Sequence, residues 1–126
     1  MLSGNGINFK KIIIAVGRTD MRRGIDGLSA TVKLKYGLDP LEIGTVFLFC
    51  GTKTDRIKGI LWTGDRFILL YIRLADGRFQ WPRSMDEARQ ISGTEFMRLM
   101  DGYTIDPSVG KQRKPQERNP RKNRKR

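Results

Sequence analysis

The stretch from Thr45 to Pro82 constrains the fold of this 126-residue chain more than any other part. It contains four runs of apolar, β-branched and aromatic residues, of which the last is short. These runs span residues 45–50, 57–62, 67–74 and 78–81. Gly64-Asp65 and Asp76-Gly77 separate neighbouring runs, and such dipeptides favour two-residue hairpin turns because both residues tolerate positive φ. The stretch therefore predicts an antiparallel β-meander.

Two-residue turns set the register of the meander, and the register divides its side chains between two faces. In the first predicted hairpin Arg56 lies opposite Arg73 and Trp62 lies opposite Phe67. The second predicted hairpin places Leu74 opposite Phe79, Arg73 opposite Gln80 and Ile72 opposite Trp81. One face is apolar and predicts a core, formed by Ile57, Leu61, Ile68, Leu70, Ile72, Leu74, Phe79 and Trp81. The other face carries Arg56, Lys58, Tyr71, Arg73, Arg78 and Gln80, and becomes apolar near Ile60, Trp62, Phe67 and Leu69.

Basic residues around a tyrosine on the second face predict a nucleic-acid contact. Arg56 and Arg73 repel each other when directly opposed, unless an anion lies between them. Lysine and arginine bind backbone phosphates, and Tyr71 offers a ring on which a base can stack. The alternative is an ordinary solvated face, on which the arginines pair with carboxylates such as Asp55. The sequence leaves both interpretations open.

Ahead of the meander, the sequence predicts one buried strand and one helix. Residues 11–16 are apolar without alternation, which is typical of a strand covered on both faces. Apolar residues then recur at helical spacing, at Met21, Ile25, Leu28, Val32 and Tyr36. We expect Thr19 or Asp20 to cap this helix and Gly37 to end it.

Three arginines, Arg18, Arg22 and Arg23, surround the expected start of that helix. Unpaired backbone N–H groups and the helix dipole favour an anion at such a position, so the cluster predicts a phosphate contact. The alternative is local pairing of Arg22 and Arg23 with Asp20 and Asp26, each pair contributing about 0.3 kcal/mol.

After the meander, the sequence predicts two short helices. Ser84 and Glu87 fit a capping box for a helix at 85–90, and Thr94 can cap a second helix at 95–101. We therefore expect an α+β fold, in which a small, mostly antiparallel sheet packs with one longer N-terminal helix and short C-terminal helices. Residues 1–106 form this single compact domain, and residues 107–126 form a disordered polybasic tail.

The charge of the chain indicates a polyanionic partner. The formal net charge is +12, from 25 Lys and Arg against 13 Asp and Glu, and much of the excess lies in residues 111–126. A disordered basic tail gains affinity for DNA or RNA through counterion release, without reading sequence. Its candidate contacts are Lys111, Arg113, Lys114, Arg121, Lys122 and Arg124. A cloning remnant or a solubility tail is the alternative.

Composition excludes several kinds of site. The chain has no histidine and one cysteine, Cys50, which excludes an internal disulfide, His/Cys zinc sites and nucleophiles activated by histidine. We predict no metal site, no cofactor and no catalytic residue. No run of about 20 apolar residues predicts a membrane span, and the first residues lack the apolar stretch of a signal peptide, so we expect a cytoplasmic protein.

Five motifs resemble those of a known family. They are TDMRRGIDGL at 19–28, VFLFCG at 46–51, DRIKGILW at 55–62, LLYIRL at 69–74 and DGRFQWPR at 76–83. In order and spacing they resemble the accessory proteins, often called TnpB, that are encoded by the second reading frame of insertion sequence family number 66. The resemblance covers about residues 7–106. The matching positions are Thr19, Asp20, Met21, Arg22, Arg23, Gly24, Asp26, Gly27, Leu28, Lys58, Trp62, Arg73, Gly77, Phe79, Trp81 and Pro82.

The resemblance implies an accessory factor for transposition, encoded beside a larger transposase, and it offers no catalytic residue to transfer. The chain departs from the family at Thr63, Ile72 and Ala75, where an acid, a lysine and a glutamate are frequent. A family lysine at position 72 conflicts with the core-facing assignment of Ile72.

Three functional hypotheses follow. The first is a non-catalytic accessory subunit that binds DNA mainly through phosphates and assists the transposase. The second is an interaction module that binds the transposase without DNA contact, through an apolar patch of Ile60, Trp62, Phe67 and Leu69. The third is a Mg²⁺-dependent nuclease that uses paired carboxylates, either Asp20 with Asp26 or Asp55 with Asp65. The acids are scattered along the chain, so we expect no enzyme; the oligomeric state is not predicted.

Overall fold

The computed structural model describes residues 9–106, which form a five-stranded sheet with one helical segment on each face. The strands are β1 (Lys11–Ala15), β2 (Thr45–Cys50), β3 (Arg56–Trp62), β4 (Phe67–Arg73) and β5 (Ala88–Ile91). Their order in the sheet is β4-β3-β2-β1-β5. β1 and β2 are parallel, and the other neighbouring pairs are antiparallel. The predicted α+β class with a mostly antiparallel sheet is confirmed.

β1 lies inside the sheet, between β2 and β5. Ile12 and Ile14 pack into one buried apolar cluster, and Ile13 and Ala15 pack into a second cluster on the opposite face. A strand that buries both faces has no polar side to present, which explains its unbroken apolar sequence. The prediction of a strand covered on both faces is confirmed.

The β3–β4 hairpin has the register predicted from the sequence. Arg56 pairs with Arg73 and Trp62 pairs with Phe67 across the ladder. Gly64 supplies the positive φ of the turn, at 112°. Ile72 lies opposite Ile57 and packs against the first apolar cluster, so its core-facing assignment is confirmed.

The second predicted hairpin is wrong, because residues 78–81 do not form a strand. The backbone N–H of Phe79 instead donates to the Thr54 carbonyl at 2.7 Å. The Trp81 indole N–H donates to the Ala15 carbonyl at 3.0 Å, and both aromatic rings are buried in the first apolar cluster. Their burial was predicted correctly. However, a segment whose side chains pack into the core under the sheet cannot also pair with the edge strand. Arg78 and Gln80 therefore do not share a sheet face with Arg73.

The helix between the two parallel strands is shorter than predicted. It consists of α1 (Ile25–Ala30) and a π-helical continuation at Thr31–Lys35. Gly24 occupies the N-cap position without a side-chain cap, so the predicted caps at Thr19 and Asp20 are wrong. Asp20 instead accepts the N–H of Arg22 at 3.0 Å, and this local turn competes with a helical start.

A strand replaces the first predicted C-terminal helix, at 85–90. β5 pairs antiparallel with β1, placing Ile91 opposite Ile12. The capping box assigned to Ser84 and Glu87 is therefore wrong. The open edge of β1 explains the outcome, because its buried backbone groups need hydrogen-bond partners that a helix could not provide.

The second predicted C-terminal helix is present as α2 (Gly93–Met100). Its cap is Ser92 rather than Thr94. The Ser92 hydroxyl accepts the N–H of Glu95 at 3.0 Å, and a Glu95 carboxylate oxygen accepts the N–H of Ser92 at 2.9 Å. Leu99 buries α2 against the first apolar cluster. Among residues 9–106, no helix has the length and apolarity needed to cross a membrane. The predicted tail at 107–126, with its six candidate contacts, lies outside the described residues.

Candidate nucleic-acid interface

Three segments meet at the end of the sheet where β1, β2 and β4 finish and β3 begins. We call this surface the basic rim and define it as residues 17–24, 51–56 and 73–83. It contains eight arginines and lysines but only three aspartates. The cations are Arg18, Arg22, Arg23, Lys53, Arg56, Arg73, Arg78 and Arg83. The topology therefore brings every sequence-predicted cation of the described region, except Lys58, to one end of the sheet.

Arg83 holds the segments of the rim together. One of its guanidinium nitrogens donates to the Gly17 carbonyl at 2.7 Å, and a second donates to the Gly51 carbonyl. The backbone N–H of Thr19 donates to the Cys50 carbonyl at 2.9 Å. A Cβ on Gly51 would lie 2.5 Å from Cγ of Met21, so glycine permits the close approach. Residues 17–21 are thus fixed across the end of β2.

Two predicted arginines pair with local carboxylates. Arg22 Nε and Nη2 donate to the Asp20 carboxylate at 3.0 and 2.9 Å, and this hydrogen bonding holds the pKa of Asp20 well below its usual range. Arg56 binds Asp55 in the same way, at 2.9 and 3.3 Å, and lowers the pKa of Asp55. Both guanidinium groups use Nε and Nη2 for these bonds. These bonds use two of the five N–H donors of each guanidinium, so the pairing orients the cations without occupying all their donors.

Arg23 joins the rim to the sheet by its backbone. Its carbonyl accepts a hydrogen bond from Lys58 Nζ at 3.0 Å, whereas its guanidinium donates to the Thr31 hydroxyl at 2.5 Å. Lys58 lies on β3 opposite Phe49, whose ring belongs to the apolar cluster beneath α1. The segment before α1 and the basic sheet face therefore lie on the same side of the molecule.

The remaining rim cations face solvent. The side chains of Arg18, Lys53 and Arg78 form no ion pair or hydrogen bond within residues 9–106. Arg73 is exposed and lies directly opposite Arg56. Its positive charge contributes, after the Arg56 hydrogen bond, to the lowered pKa of Asp55. These four cations can accept an anion without first breaking a bidentate pair.

An open depression of about 490 Å³ lies on the rim, lined by Thr52, Lys53, Thr54, Asp55, Gly77 and Arg78. Hydroxyl groups and two unpaired cations line one concave surface there and are groups that bind phosphate, and the Asp55 carboxylate in the same lining is neutralised by Arg56. Sequence reasoning missed Lys53, because a single lysine in a loop between strands carries no pattern. Its flanking threonines, Thr52 and Thr54, were the available signal.

Tyr71 lies on the uncovered part of the sheet next to the rim. It is 51% exposed, and Lys58 Nζ lies 6.0 Å from its ring centroid, at the outer limit of a cation–π contact. α1 packs over the buried residues of β1, β2 and β3, and Tyr71 belongs to the edge strand β4. The ring is therefore available for stacking, beside cations that can bind the adjoining backbone.

The opposite end of the sheet is electrically balanced. We call it the opposite rim and define it as residues 9–11, 38–44 and 63–66, which contain three cations and three carboxylates. Lys11 pairs with Glu42 at 2.7 Å, and Arg66 pairs with Asp65 at 2.9 Å. This end therefore lacks the excess positive charge of the basic rim.

The predicted apolar patch lies on β3 and β4 toward the opposite rim, with one correction. Trp62 and Phe67 contact each other with ring centroids 4.9 Å apart, and Leu69 is 41% exposed. Ile60 is fully buried beneath α1 and does not belong to the patch. Ile43, which is 58% exposed and lies beside Gly64, extends the patch and was missed because it sits in a loop.

Asp55 and Asp65, one of the two carboxylate pairs considered for Mg²⁺, do not converge. Asp55 precedes β3 and Asp65 follows it, so a seven-residue strand of roughly 23 Å separates them. Asp20 is bound to Arg22. In the part of the chain that the structure describes, no three His, Cys, Asp or Glu residues are placed to share a metal ion.

The chain is a small α+β domain with a cationic rim at one end of its sheet, and comparison with known proteins identifies its family. Residues 10–109 match the family described as IS66 Orf2 like protein. Uncharacterized proteins y4jC and y4hO of Sinorhizobium fredii are each 36% identical over 92 residues. The matches cover 73% of this chain and 78% and 79% of the two relatives. No solved structure matches.

The chain therefore belongs to the IS66 Orf2-like protein family, which associates it with transposition of an insertion sequence. The resemblance found in the sequence motifs is confirmed.

Proposed function

We propose that this protein is a non-catalytic accessory factor of transposition that binds the DNA backbone through the basic rim. The observation that carries the proposal is the asymmetry between the ends of the sheet. The basic rim holds eight cations and three acids, whereas the opposite rim holds three of each. Folding does not require such an imbalance, since like charges held together destabilise a surface unless an anion binds there.

The rim can bind phosphates in two ways. Arg18, Lys53, Arg73 and Arg78 are exposed and can contact phosphates directly. Arg22 and Arg56 are held in fixed orientations by their aspartates, and each bidentate pair uses two of the five N–H donors of the guanidinium. Phosphate contacts position a protein on DNA without specifying sequence. The choice of DNA site then falls to base contacts or to the element's transposase.

Tyr71 adds a contact that a duplex does not use. An exposed ring beside cations is suited to stacking on an unpaired base, which contributes about 1–3 kcal/mol per base. The proposed surface therefore suits junctions between double-stranded and single-stranded DNA.

Titration of labelled duplex DNA with the full chain over a range of salt concentrations tests this proposal. We expect affinity to fall with salt at a slope of about −0.9 per phosphate contacted. Deleting residues 111–126 should reduce affinity and slope but leave a measurable salt-dependent component from the rim. No binding at low salt by the full chain would refute the proposal, and complete loss on deletion would place binding in the tail.

A second function is favoured by the exposed apolar patch of Ile43, Trp62, Phe67 and Leu69. Exposed neighbouring apolar side chains mark protein-binding surfaces. In this alternative, the patch binds the transposase without DNA. Co-purification of the two proteins after nuclease treatment, abolished by Ile43→Asp but unaffected by Arg78→Ala, would support the alternative.

A further inference from the structure

β4 forms an open edge of the sheet. Its seven residues pair with β3 in one continuous register without a bulge. β3 is the only strand beside it among the described residues. Proteins usually protect such an edge with proline, lysine, a bulge or a very short strand. β4 has none of these, and its sequence, FILLYIR, is apolar up to its last residue.

The hydrogen bonds at the two ends of the hairpin show which backbone groups face outward. The N–H of Thr63 donates to the Arg66 carbonyl at 3.0 Å, and the N–H of Leu74 donates to the Asp55 carbonyl at 2.7 Å. Bonded and non-bonded pairs alternate along an antiparallel ladder. The even-numbered residues of β4 therefore bond to β3. The odd-numbered residues direct their N–H and C=O groups to the open edge; they are Phe67, Leu69, Tyr71 and Arg73.

We propose that β4 pairs antiparallel with β4 of a second copy of this chain, about a two-fold axis at Leu70. In this register Phe67 lies opposite the partner's Arg73 and Leu69 lies opposite the partner's Tyr71. All seven residues are paired, and the outward groups form about eight interchain hydrogen bonds. Two five-stranded sheets become one continuous ten-stranded sheet.

Self-complementarity identifies a second copy as the occupant of this edge. The register places each Arg73 over an aromatic ring and brings no like charges together. If the partner strand shifted by one residue, the outward N–H and C=O groups of one β4 would face residues of the other whose groups bond to β3. A shift of two residues would leave two residues of each β4 unpaired. On the other face, Ile68, Leu70 and Ile72 are only partly buried at the margin of the first apolar cluster. The partner strand would cover this margin with the same three residues.

The other edge strand differs in each of these respects. β5 has four residues and is mixed in polarity. Arg89 of β5 donates to the Ile105 carbonyl at 3.0 Å, so the C-terminal segment crosses beside it. Only the β4 edge combines length, apolarity and a self-complementary sequence.

Disulfide trapping tests the register. Leu70→Cys places two cysteines opposite each other at a non-bonded pair, where antiparallel Cα atoms are closest, so we expect a covalent dimer on mild oxidation. Residue 72 lies opposite the partner's Ile68, not opposite the partner's residue 72. The Ile72→Cys variant should therefore not form a covalent dimer alone. It should form one when mixed with Ile68→Cys. The native thiol does not interfere, because Cys50 is buried and burial raises its pKa to about 11.

The oligomeric state of the nuclease-treated full chain, measured by light scattering at high salt, completes the test. We expect a dimer for the wild type and a monomer for Leu69→Pro, since proline removes an outward N–H that β3 does not use. Leu69→Thr keeps that N–H and should remain dimeric. Circular dichroism confirms that both variants fold.

A monomeric wild type, or a dimer that survives Leu69→Pro and is not trapped by Leu70→Cys, would overturn the proposal. High salt and nuclease treatment exclude bridging by DNA, so these outcomes are separate from those of the proposed function.

Discussion

The two ends of the same sheet use their charges differently. At the opposite rim, Lys11 and Arg66 pair with carboxylates, and the cations and acids balance. At the basic rim, cations exceed acids, and Arg18, Lys53 and Arg78 have no partner among the described residues. One end of the sheet folds with equal numbers of cations and acids. The excess of positive charge at the other end is therefore not needed for the stability of the fold. The difference therefore favours a ligand for the basic rim.

The ends also differ in how firmly they are anchored. The 73–83 segment is pinned by Phe79 and Trp81 in the core and by Arg83. At the opposite rim, Trp62 is only half-buried and its partner ring, Phe67, lies on the edge strand. A rigid cationic surface loses less conformational entropy on binding DNA than a mobile one. Four predictions test this contrast, from the largest effect to the smallest.

Removing the Trp81 anchor should have the largest effect. Trp81→Ala deletes a buried ring and its hydrogen bond to the Ala15 carbonyl, so we expect the free energy of unfolding to fall by about 3–5 kcal/mol. Trp62→Ala, at the half-buried opposite position, should cost about half as much. Urea unfolding curves measure both. Equal losses would show that the two ends are anchored alike.

Removing the Arg83 guanidinium should have the next largest effect. Arg83→Ala leaves the Gly17 and Gly51 carbonyls without their donor, and we expect a loss of about 2–3 kcal/mol. Arg66→Ala breaks an exposed ion pair and should change the unfolding free energy by less than about 0.5 kcal/mol. The same unfolding assay compares them. If Arg83→Ala were as mild as Arg66→Ala, Arg83 would not hold the rim together.

Removing the Tyr71 ring should affect only one kind of DNA. Tyr71→Ala should weaken binding to single-stranded DNA by roughly fivefold or more, because stacking is lost. Binding to duplex DNA should change little, and Tyr71→Phe should behave like the wild type on both. Fluorescence anisotropy with matched oligonucleotides measures the affinities. An equal loss on both DNA forms would argue against stacking.

Changing the pH should have the smallest effect. The chain has no histidine, and burial raises the pKa of the Cys50 thiol to about 11. Arg22 and Arg56 lower the pKa of Asp20 and Asp55 below the usual value near 4. Both carboxyl groups are therefore charged over the whole range from pH 6 to 8.5. The cation excess is therefore constant, and duplex affinity should vary by less than about twofold between pH 6 and 8.5. A steep pH dependence would require a titrating group outside the rim.

Local patterns predicted the elements that local chemistry determines. The Gly64-Asp65 turn and the alternation of side chains were sufficient for the full register of β3 and β4. The unbroken apolar run of β1 was sufficient for its burial on both faces. The position of α2 was also predictable to within a few residues, although its cap is Ser92 rather than the predicted Thr94.

Non-local contacts determined the elements that were predicted wrongly. Residues 78–81 have the composition of a strand, but their aromatic rings fill the core beneath the sheet. β5 has the composition of a short polar helix, but it forms a strand because its backbone pairs with the open edge of β1. The start of α1 was misplaced because the Asp20–Arg22 turn satisfies the groups that a helical cap would have satisfied.

The sequence predicted most of the residues of the candidate site, but it predicted little of how they are arranged. The paired and unpaired cations could not be told apart from the sequence, since pairing depends on rotamers and loop conformation. Lys53 and Arg83 were missed because they lie in loops without periodicity. The convergence of the segments follows from the parallel pairing of β1 and β2, which places their carboxyl ends together.

A comparison of two triple variants with equal charge loss tests the central claim most directly. One removes Arg18, Lys53 and Arg78 from the basic rim, and the other removes Lys10, Lys11 and Arg66 from the opposite rim, all by alanine. Both keep the tail and the same net charge. The basic-rim variant should bind duplex DNA at least about tenfold more weakly, with a salt slope reduced by about 2.7, whereas the opposite-rim variant should lose less than about threefold. Equal losses in the two variants would contradict the basic rim as the DNA-binding surface.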